Sequence, residues 1–313
     1  MAENNRINLD TTNRFLMEAL IDLVPKPGYF ETGIHGLAIV RHDEPTGIIQ
    51  RFYSPMIILL VQGKKLSIIG TEEVVWGKNK YMLIGTDLPS GGRILTATPK
   101  KPFLKIIMRL DTSILLELLA EIPFPATERN DENSPRQGIA VVDTDPYLLD
   151  AFLRLTELLK PEDKPQVHSP SEQAVLAPLI IRELHYRLLQ GPLGSRLRMI
   201  HTQGSKNYQI AQAILWLKNN YTKPLHINEL AKLVSMAPST FMRQFLQLTT
   251  ISPLQYQKRL RLHEAQHLML TERMDTAHAA YSVGYESINQ FNREYKRLFG
   301  EPPKKNIKRL LAG

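Results

Sequence analysis

The sequence predicts an α+β protein in which an antiparallel β-barrel with attached helices precedes an all-α domain of two helix-turn-helix units joined by a long helix. Three observations predict this: short apolar stretches separated by Gly and Pro, a helical period that begins near Asp111, and an internal repeat close to the C-terminus. With 313 residues the chain has room for about two domains of ordinary size.

The short apolar stretches lie between about Gly28 and Leu110 and include "HGLAIVR", "MIILLVQG", "EEVVWG" and "PFLKIIMRLD". Strands of this length, with turn residues at this spacing, are typical of a small antiparallel barrel or sandwich. Trp76, on one of these strands, is interpreted either as a core residue or as part of an effector pocket.

From Asp111, an N-cap candidate, apolar residues recur at steps of three and four. The pattern holds in "DTSILLELLAEI", "DPYLLDAFLRLTELLK" and "SEQAVLAPLIIRELHYRLLQG", with a polar loop at about 126–138 after the first. It predicts helices whose apolar stripes either cover the barrel or face another copy of the protein.

The composition excludes several classes of function. The chain has no cysteine, which rules out disulfides, thiolate nucleophiles and cysteine-ligated zinc. No apolar run approaches the roughly 20 residues that cross a bilayer, and the start lacks the basic flank and apolar segment of a signal peptide. We therefore expect a cytoplasmic protein with no membrane partner.

The net charge of +8 is concentrated in the last third of the chain. Residues 195–313 carry 18 Lys and Arg against 7 Asp and Glu, a net +11, which leaves −3 for residues 1–194. A basic domain behind a near-neutral one favours a polyanion partner, and nucleic acid is the commonest. The segment Gly191 to Asn207 is rich in Gly, Ser and basic residues, which is typical of a linker. It predicts a linker at 195–207 between an N-terminal domain (1–194) and a helical domain (208–313).

An internal repeat of about 50 residues occurs in that helical domain. The segment "LAKLVSMAPSTFMRQFLQLTTISP" (Leu230 to Pro253) aligns with "AAYSVGYESINQFNREYKRLFGEPP" (Ala279 to Pro303). In each copy a short helix, a tight turn and a second helix predict a helix-turn-helix. The stretch 253–270 between them predicts a connecting helix about 27 Å long, close to one turn of DNA at about 34 Å.

The second helix of each copy separates into two faces at 100° per residue. Phe241, Phe245 and Leu248 turn inward in the first copy. The inward residues of the second copy are Phe291, Tyr295, Leu298 and Phe299. Arg, Asn and Gln turn outward, and these residue types form paired hydrogen bonds with guanine and adenine in the major groove. The conjunction of two copies, these residue types and the positive charge predicts binding to double-stranded DNA.

These residues resemble the C-terminal DNA-binding domain of the AraC/XylS family of bacterial transcription regulators. The resemblance rests on "ELAKLVSM", "STFMRQF", "SPLQYQKRLRLHEAQHLML" and "VGYESINQFNREYKRLFGEPP", and covers about Tyr208 to Leu310. Upstream, "PTGIIQRFYSPMIILLVQGKKLSIIG" is similar to the cupin-like N-terminal domain of one branch of that family. The resemblance implies a transcription regulator, an activator and homodimer that contacts RNA polymerase and senses a small-molecule effector through its barrel.

The resemblance also implies roles for individual residues. In the first unit Ser239, Met242 and Arg243 fall on base-reading positions, and Thr240 suits a backbone contact. In the second unit Lys296 suits a backbone contact. The base-reading positions there are Ile288, Asn289, Asn292 and Arg293.

Two departures from the family pattern raise questions about packing. Thr250 stands where the family usually has glycine after the first recognition helix, and threonine is a poorer residue for a left-handed C-cap. Asn306 and Ile307 replace the usual Tyr-Arg after the last proline, which leaves the packing of the tail open.

No catalytic, metal or cofactor site is predicted, and the effector-binding residues are not identified. His263 and His267 have metal-ligand spacing but no third ligand nearby, and His35 and His42 do not form the cluster of metal-bearing cupins. Two alternatives stay open: a cupin-type enzyme with a DNA-binding tail, and a regulator whose barrel binds no small ligand.

Overall fold

The computed structural model describes residues 8–122, 138–159 and 170–312. These ranges contain a β-domain with covering helices, followed by a helical C-terminal domain, as predicted. The strands are β1 (Gly28–Glu31), β2 (Leu37–His42), β3 (Ile49–Tyr53), β4 (Met56–Gln62), β5 (Lys64–Ile69), β6 (Glu72–Gly77), β7 (Lys80–Ile84), β8 (Leu88–Thr96), β9 (Phe103–Arg109) and β10 (Ile139–Asp143). The predicted loop at 126–138 lies outside the described residues except for Gly138.

The strands form two antiparallel sheets. One has six strands in the order β1-β2-β9-β4-β7-β10, and the other has four in the order β3-β8-β5-β6. Along β4, Ile57 and Leu59 pack into the core beneath the helices, whereas Ile58 and Leu60 pack into the core shared with the second sheet. Because both faces of β4 are covered, its sequence is a continuous apolar run instead of an alternating one.

Helices α1 (Leu9–Leu23), α2 (Thr112–Glu121), α3 (Pro146–Glu157) and α4 (Pro170–Gln190) accompany the sheets. Asp111 caps α2 as predicted, since its carboxylate accepts hydrogen bonds from the backbone N–H groups of Ser113 and Ile114 at 2.8 and 3.3 Å. Helix α1 was not predicted. It is fixed by the N-cap Asn8 and by the fully buried Leu16 and Leu20.

The segment predicted as a linker departs from expectation, because residues 194–201 form helix α5 (Gly194–His201). Leu197 and Ile200 of α5 are buried, and a Cβ on Gly85 would lie 2.6 Å from Cδ1 of Ile200. The Gly- and Ser-rich composition suggested an open chain, but two apolar residues three apart are enough to dock one helical turn. The boundaries of the two domains remain a prediction.

The C-terminal domain is wholly helical apart from its turns. Each predicted helix is present, and the predicted basic tail is helical as well. The helices are α6 (Lys206–Asn219), α7 (Ile227–Leu233), α8 (Pro238–Thr249), α9 (Pro253–Thr271), α10 (Thr276–Ser282), α11 (Ile288–Phe299) and α12 (Pro303–Ala312). In the described ranges no helix is long and apolar enough to cross a bilayer.

The β-domain and the first half of the helical domain share one core. The Tyr256 hydroxyl of α9 donates to the carbonyl of Asp87 at 2.7 Å, and the Asp87 carboxylate pairs with Lys218 of α6 at 2.7 Å. The Gly138 N–H donates to the Leu248 carbonyl at the end of α8, at 2.8 Å. The two domains are therefore joined by packing as well as by the chain between them.

Candidate nucleic-acid interface

The two repeats fold as helix-turn-helix units, α7–α8 and α10–α11. Their turns close with equivalent hydrogen bonds, from Met236 N–H to the Ala231 carbonyl at 2.9 Å and from Tyr285 N–H to the Ala280 carbonyl at 3.0 Å. Both alanines are fully buried, because the helices cross closely there. The predicted alignment of the two copies is thus reproduced in their backbone.

The turn of the second unit requires a glycine. Gly284 has a φ of +89°, and a Cβ there would lie 2.5 Å from the carbonyl oxygen of Thr222. Arg261 of α9 joins the same region, since its guanidinium donates to the carbonyls of Tyr221 at 2.7 Å and of Gly284 at 2.8 Å. These contacts fix the second unit against the end of α6.

The inner faces of both recognition helices are packed as predicted. Phe241 and Phe245 of α8 are fully buried, and so are Phe291 and Tyr295 of α11. Packing of these rings leaves only one side of each helix open to solvent. The orientation of the polar residues is therefore set by the aromatic residues behind them.

The residues predicted to meet DNA lie on that open side. Six are exposed and three are half-buried, and no side chain of the nine makes a hydrogen bond or ion pair within the described ranges. The exposed residues are Ser239, Met242, Arg243, Asn289, Arg293 and Lys296, and the half-buried ones are Thr240, Ile288 and Asn292. Their side chains are free to bind a partner, and their individual roles remain predictions.

Glu294 is the single acidic residue of α11, and it is held away from that face. Its carboxylate accepts from Lys258 at 2.6 Å and from the Tyr285 hydroxyl at 2.7 Å. Burial acts to raise the pKa of Glu294, but the hydrogen bonds from Lys258 and then Tyr285 outweigh it and lower the pKa. The negative charge is thereby neutralised by α9, which leaves the exposed side of α11 positive.

The start of α8 offers backbone donors. Its N-cap, Ala237, makes no side-chain cap, and Pro238 occupies the first turn. Uncapped N–H groups at a helix start favour phosphate. In α11, by contrast, the Ser287 hydroxyl accepts from the Gln290 N–H at 3.3 Å. The start of α8 therefore has more free backbone donors than the start of α11.

The two departures from the family pattern are accommodated. Thr250 adopts a left-handed φ of 66°, close to the 79° of Gly300 at the end of α11, so the helix end does not differ in conformation. Asn306 is buried in α12, where its side-chain oxygen accepts from the Tyr295 hydroxyl and from Gln266, each at 2.8 Å. The tail is therefore packed onto α9 and α11.

The histidines with metal-ligand spacing do not form a metal site. His263 lies between the rings of Phe52 and Phe299, with centroid distances of 5.8 and 5.1 Å, and His267 is exposed. Burial lowers the pKa of His263 to about 4. Among the residues described, no group of three or more His, Asp or Glu could hold a metal ion.

Two family models match this chain. The model described as the AraC-type transcriptional regulator N-terminus matches residues 33–196, and that of a helix-turn-helix domain matches residues 230–309. The chain is 32% identical to the transcriptional activator RhaS of Pectobacterium carotovorum over 35% of this chain and 40% of that protein. It is 28% identical to the transcriptional regulator ArgR of Pseudomonas aeruginosa, over 41% and 39%. The chain spans half or less of the length of the curated relatives it matches.

The fold is similar to that of ToxT from Vibrio cholerae. The structure of that protein with a bound unsaturated fatty acid gives a TM-score of 0.58 at 10% identity, over 89% of this chain and 96% of that one. A second crystal form gives 0.54 at 9% identity, over 87% and 97%. These identities show a shared fold only. Because the N-terminal family model alone covers more than half of the 313 residues, the chain belongs to the family of AraC-type transcriptional regulators.

Proposed function

We propose that the protein is a sequence-specific regulator that binds double-stranded DNA through both helix-turn-helix units. The observation that carries this is the pair of exposed faces on α8 and α11, each set by a buried aromatic row behind it. The face of α11 is polar, and that of α8 carries Ser239 and Arg243 beside the exposed Met242 and Leu246. The net +11 of residues 195–313 supports a polyanion partner. The base-reading positions are those predicted from the sequence, with Arg243 and Arg293 suited to guanine.

The connecting helix supports binding in successive grooves. Helix α9 has 19 residues, which corresponds to about 28 Å at 1.5 Å per residue. One turn of B-DNA is about 34 Å. This length supports the proposal that the two recognition helices enter neighbouring major-groove segments on one side of the duplex.

We further propose that the regulator is a cytoplasmic activator that contacts RNA polymerase. Support comes from the relatives named as activators, which match parts of this chain at 27–32% identity. Transcription from the target promoter, measured with purified polymerase with and without the protein, separates activation from repression. A fall in transcript would contradict the proposal.

Homodimerisation through the N-terminal domain is proposed as well. Val175 and Leu179 project from α4 with 62% and 60% of their surface exposed. Apolar side chains of this size on one helix favour burial against a second copy. Sedimentation of the wild type and of Leu179→Glu tests this, and a wild type that is monomeric at all concentrations would contradict it.

The N-terminal barrel is proposed to sense a small molecule. The structural similarity to ToxT, which binds an unsaturated fatty acid, supports this, and a barrel used only for protein contacts is the alternative. The cupin-type enzyme is not retained, because the chain belongs to a family of transcription factors.

Footprinting on the promoter beside the protein's own gene tests the DNA proposal. We expect two protected major-groove segments about 10 base pairs apart per subunit. A variant with Arg243→Ala should lose protection of one segment and Arg293→Ala of the other. A single protected segment, or unchanged protection in both variants, would refute the assignment.

A further inference from the structure

The strands of the two sheets carry basic residues on the faces that are turned toward each other. Lys105 of β9 lies on the same face as Phe103 and is in register with Leu60 of β4, and both of these belong to the core shared by the sheets. Lys65 of β5 is in register with Trp76, another member of that core. Alternation along the strands therefore directs both lysines into the interior.

Arg51 of β3 lies on the same face as the buried Tyr53 and is in register with Ser90. Because β3 is the edge strand of its sheet, Arg51 is exposed and lies at the margin of the interior. The four-stranded sheet thus contributes a lysine and an arginine, and the six-stranded sheet contributes a second lysine.

The two lysines are buried without an anionic partner. Lys65 and Lys105 expose only 6% and 8% of their surface. The Lys65 ammonium donates to the Tyr53 hydroxyl at 3.5 Å. Within the described ranges the ammonium group of Lys105 makes neither a hydrogen bond nor an ion pair. Burying an unpaired charge is costly, and an apolar side chain in its place would pack at lower cost.

The cations also act on one another. Burial first, and then the charges of Lys65 and Arg51, hold the pKa of Lys105 well below its usual range. Burial, followed by Lys105 and Arg51, lowers the pKa of His42 at the end of β2. The nearby carboxylate of Asp43 is already paired with Arg41 at 2.8 Å. Among the residues that the structure describes, no carboxylate pairs with Lys65 or Lys105.

We propose that the interior of the barrel binds a small organic anion, a carboxylate with an apolar body, between Lys65, Lys105 and Arg51. The surrounding side chains fit both ends of such a molecule. Tyr53 and Ser67 offer hydroxyl groups, and the apolar walls come from residues of both sheets: Ile58, Leu60, Trp76, Met82, Ile94 and Phe103. This inference rests on the proposal that the barrel senses an effector, and it predicts that the effector is negatively charged.

The position of Arg51 places this site beside the DNA-binding domain. The next residue, Phe52, contacts the rings of Tyr256 and His263 in α9 at centroid distances of 5.3 and 5.8 Å. Arg51 is also close enough to His263 to contribute to the lowering of its pKa, after burial and Arg259. An anion on Arg51 therefore changes the charge next to the helix that connects the two recognition units.

Binding is tested on the full chain with two acids and their neutral counterparts. The probes are hexanoate and cyclohexanecarboxylate, compared with hexanol and cyclohexylmethanol at equal millimolar concentrations. Trp76 lies inside the barrel, where its indole N–H donates to the Ser67 hydroxyl at 2.9 Å. The chain has two tryptophans, so the Trp216→Phe variant leaves Trp76 as the single source of tryptophan fluorescence. We expect at least one acid to change Trp76 fluorescence saturably and to raise Tm, and its alcohol to do so much less.

Lys105→Met removes the charge while keeping a long apolar side chain. It should weaken binding of the acid by about tenfold or more and raise the Tm of the free protein. The matched control is Lys64→Met, since Lys64 neighbours Lys65 but is exposed, and it should bind as the wild type does. Lys65→Met should behave as Lys105→Met.

Three results would overturn the inference: no saturable change with either acid, equal effects of acids and alcohols, or unchanged acid binding in Lys105→Met. All are read without DNA. A protein that footprints its promoter but fails these tests would refute the anion site alone, whereas equal binding of the alcohols would keep an effector in the barrel and refute only its charge.

Discussion

Gly70 and Thr250 approach so closely that a Cβ on Gly70 would lie 2.8 Å from the Cβ of Thr250. Gly70 forms the turn between β5 and β6 with a φ of +65°, and Thr250 ends the first recognition helix with a φ of +66°. Two left-handed residues from different domains thus pack against each other. The threonine that departs from the family pattern is accommodated by a glycine of the barrel.

Gly70→Ala should destabilise the protein for two reasons, namely its left-handed backbone and the contact with Thr250. Gly204→Ala is the matched control, because Gly204 has a φ of +83° but no atom within 4 Å of a built Cβ. We expect Gly70→Ala to lose about 1–3 kcal/mol of unfolding free energy more than Gly204→Ala. Urea unfolding of both variants measures the difference, and equal losses would show that the contact is unimportant.

Arg293→Ala should cost about 1–3 kcal/mol on the specific operator, because a paired hydrogen bond to a base is lost. Binding to random DNA should change far less, and specificity should relax at one base pair. Fluorescence anisotropy with operator and scrambled duplexes measures this. Arg93→Ala, an exposed change on β8, is the control. Equal weakening on both duplexes would refute a base-reading role for Arg293.

Lys296→Ala should instead weaken binding to every sequence, since it removes a contact to phosphate. The slope of log K against log salt should become shallower by about one unit. A salt titration of operator binding measures it. Asn289→Ala carries no charge change and should leave the slope as in the wild type, so a shallower slope in that variant would undermine the distinction.

Stability should fall as the pH falls from about 6.5 to about 4. Burial lowers the pKa of both His201 and His263 to about 4, so in this window the unfolded chain binds protons that the native protein does not. The stabilising contribution of the two neutral histidines is fully present above about pH 6.5. Lowering the pH to 5 should reduce the free energy of unfolding by at most about 2 kcal/mol for each histidine.

His263→Phe keeps a ring between Phe52 and Phe299 but cannot take up a proton, and should flatten this pH dependence. Unfolding by urea at pH 7 and pH 5 gives the comparison, with the exposed His267→Phe as control. An unchanged difference between the two pH values in His263→Phe would contradict the assignment.

Elements with a strong period were predictable from the sequence, and so was the repeat. Phe241 and Phe291 occupy equivalent buried positions because the same spacing of aromatic residues recurs in both copies. Their burial settles which residues of α8 and α11 face outward. For this reason the candidate DNA-reading residues could be selected without a structure.

Other features depend on contacts between distant residues and left no local signal. The helical form of α5, within the segment predicted as a linker, was not anticipated, because its docking depends on the room made by Gly85. The pairing of Glu294 with Lys258 depends on helix packing, and the approach of the two inward lysines of the barrel to each other depends on sheet register. Both join positions far apart in the chain. Alternation along β5 and β9 could have suggested Lys65 and Lys105, had the faces of those strands been assigned.

Helix α5 bears on how the protein would read an operator. A flexible tether would let two DNA-binding domains of a dimer follow half-sites at variable separation. A docked helix, together with the shared core at Tyr256, restricts that freedom. In the proposed dimer, rotational phasing of the half-sites would then be critical, because inserting about half a helical turn, roughly 5 base pairs, would carry one half-site to the opposite side of the duplex.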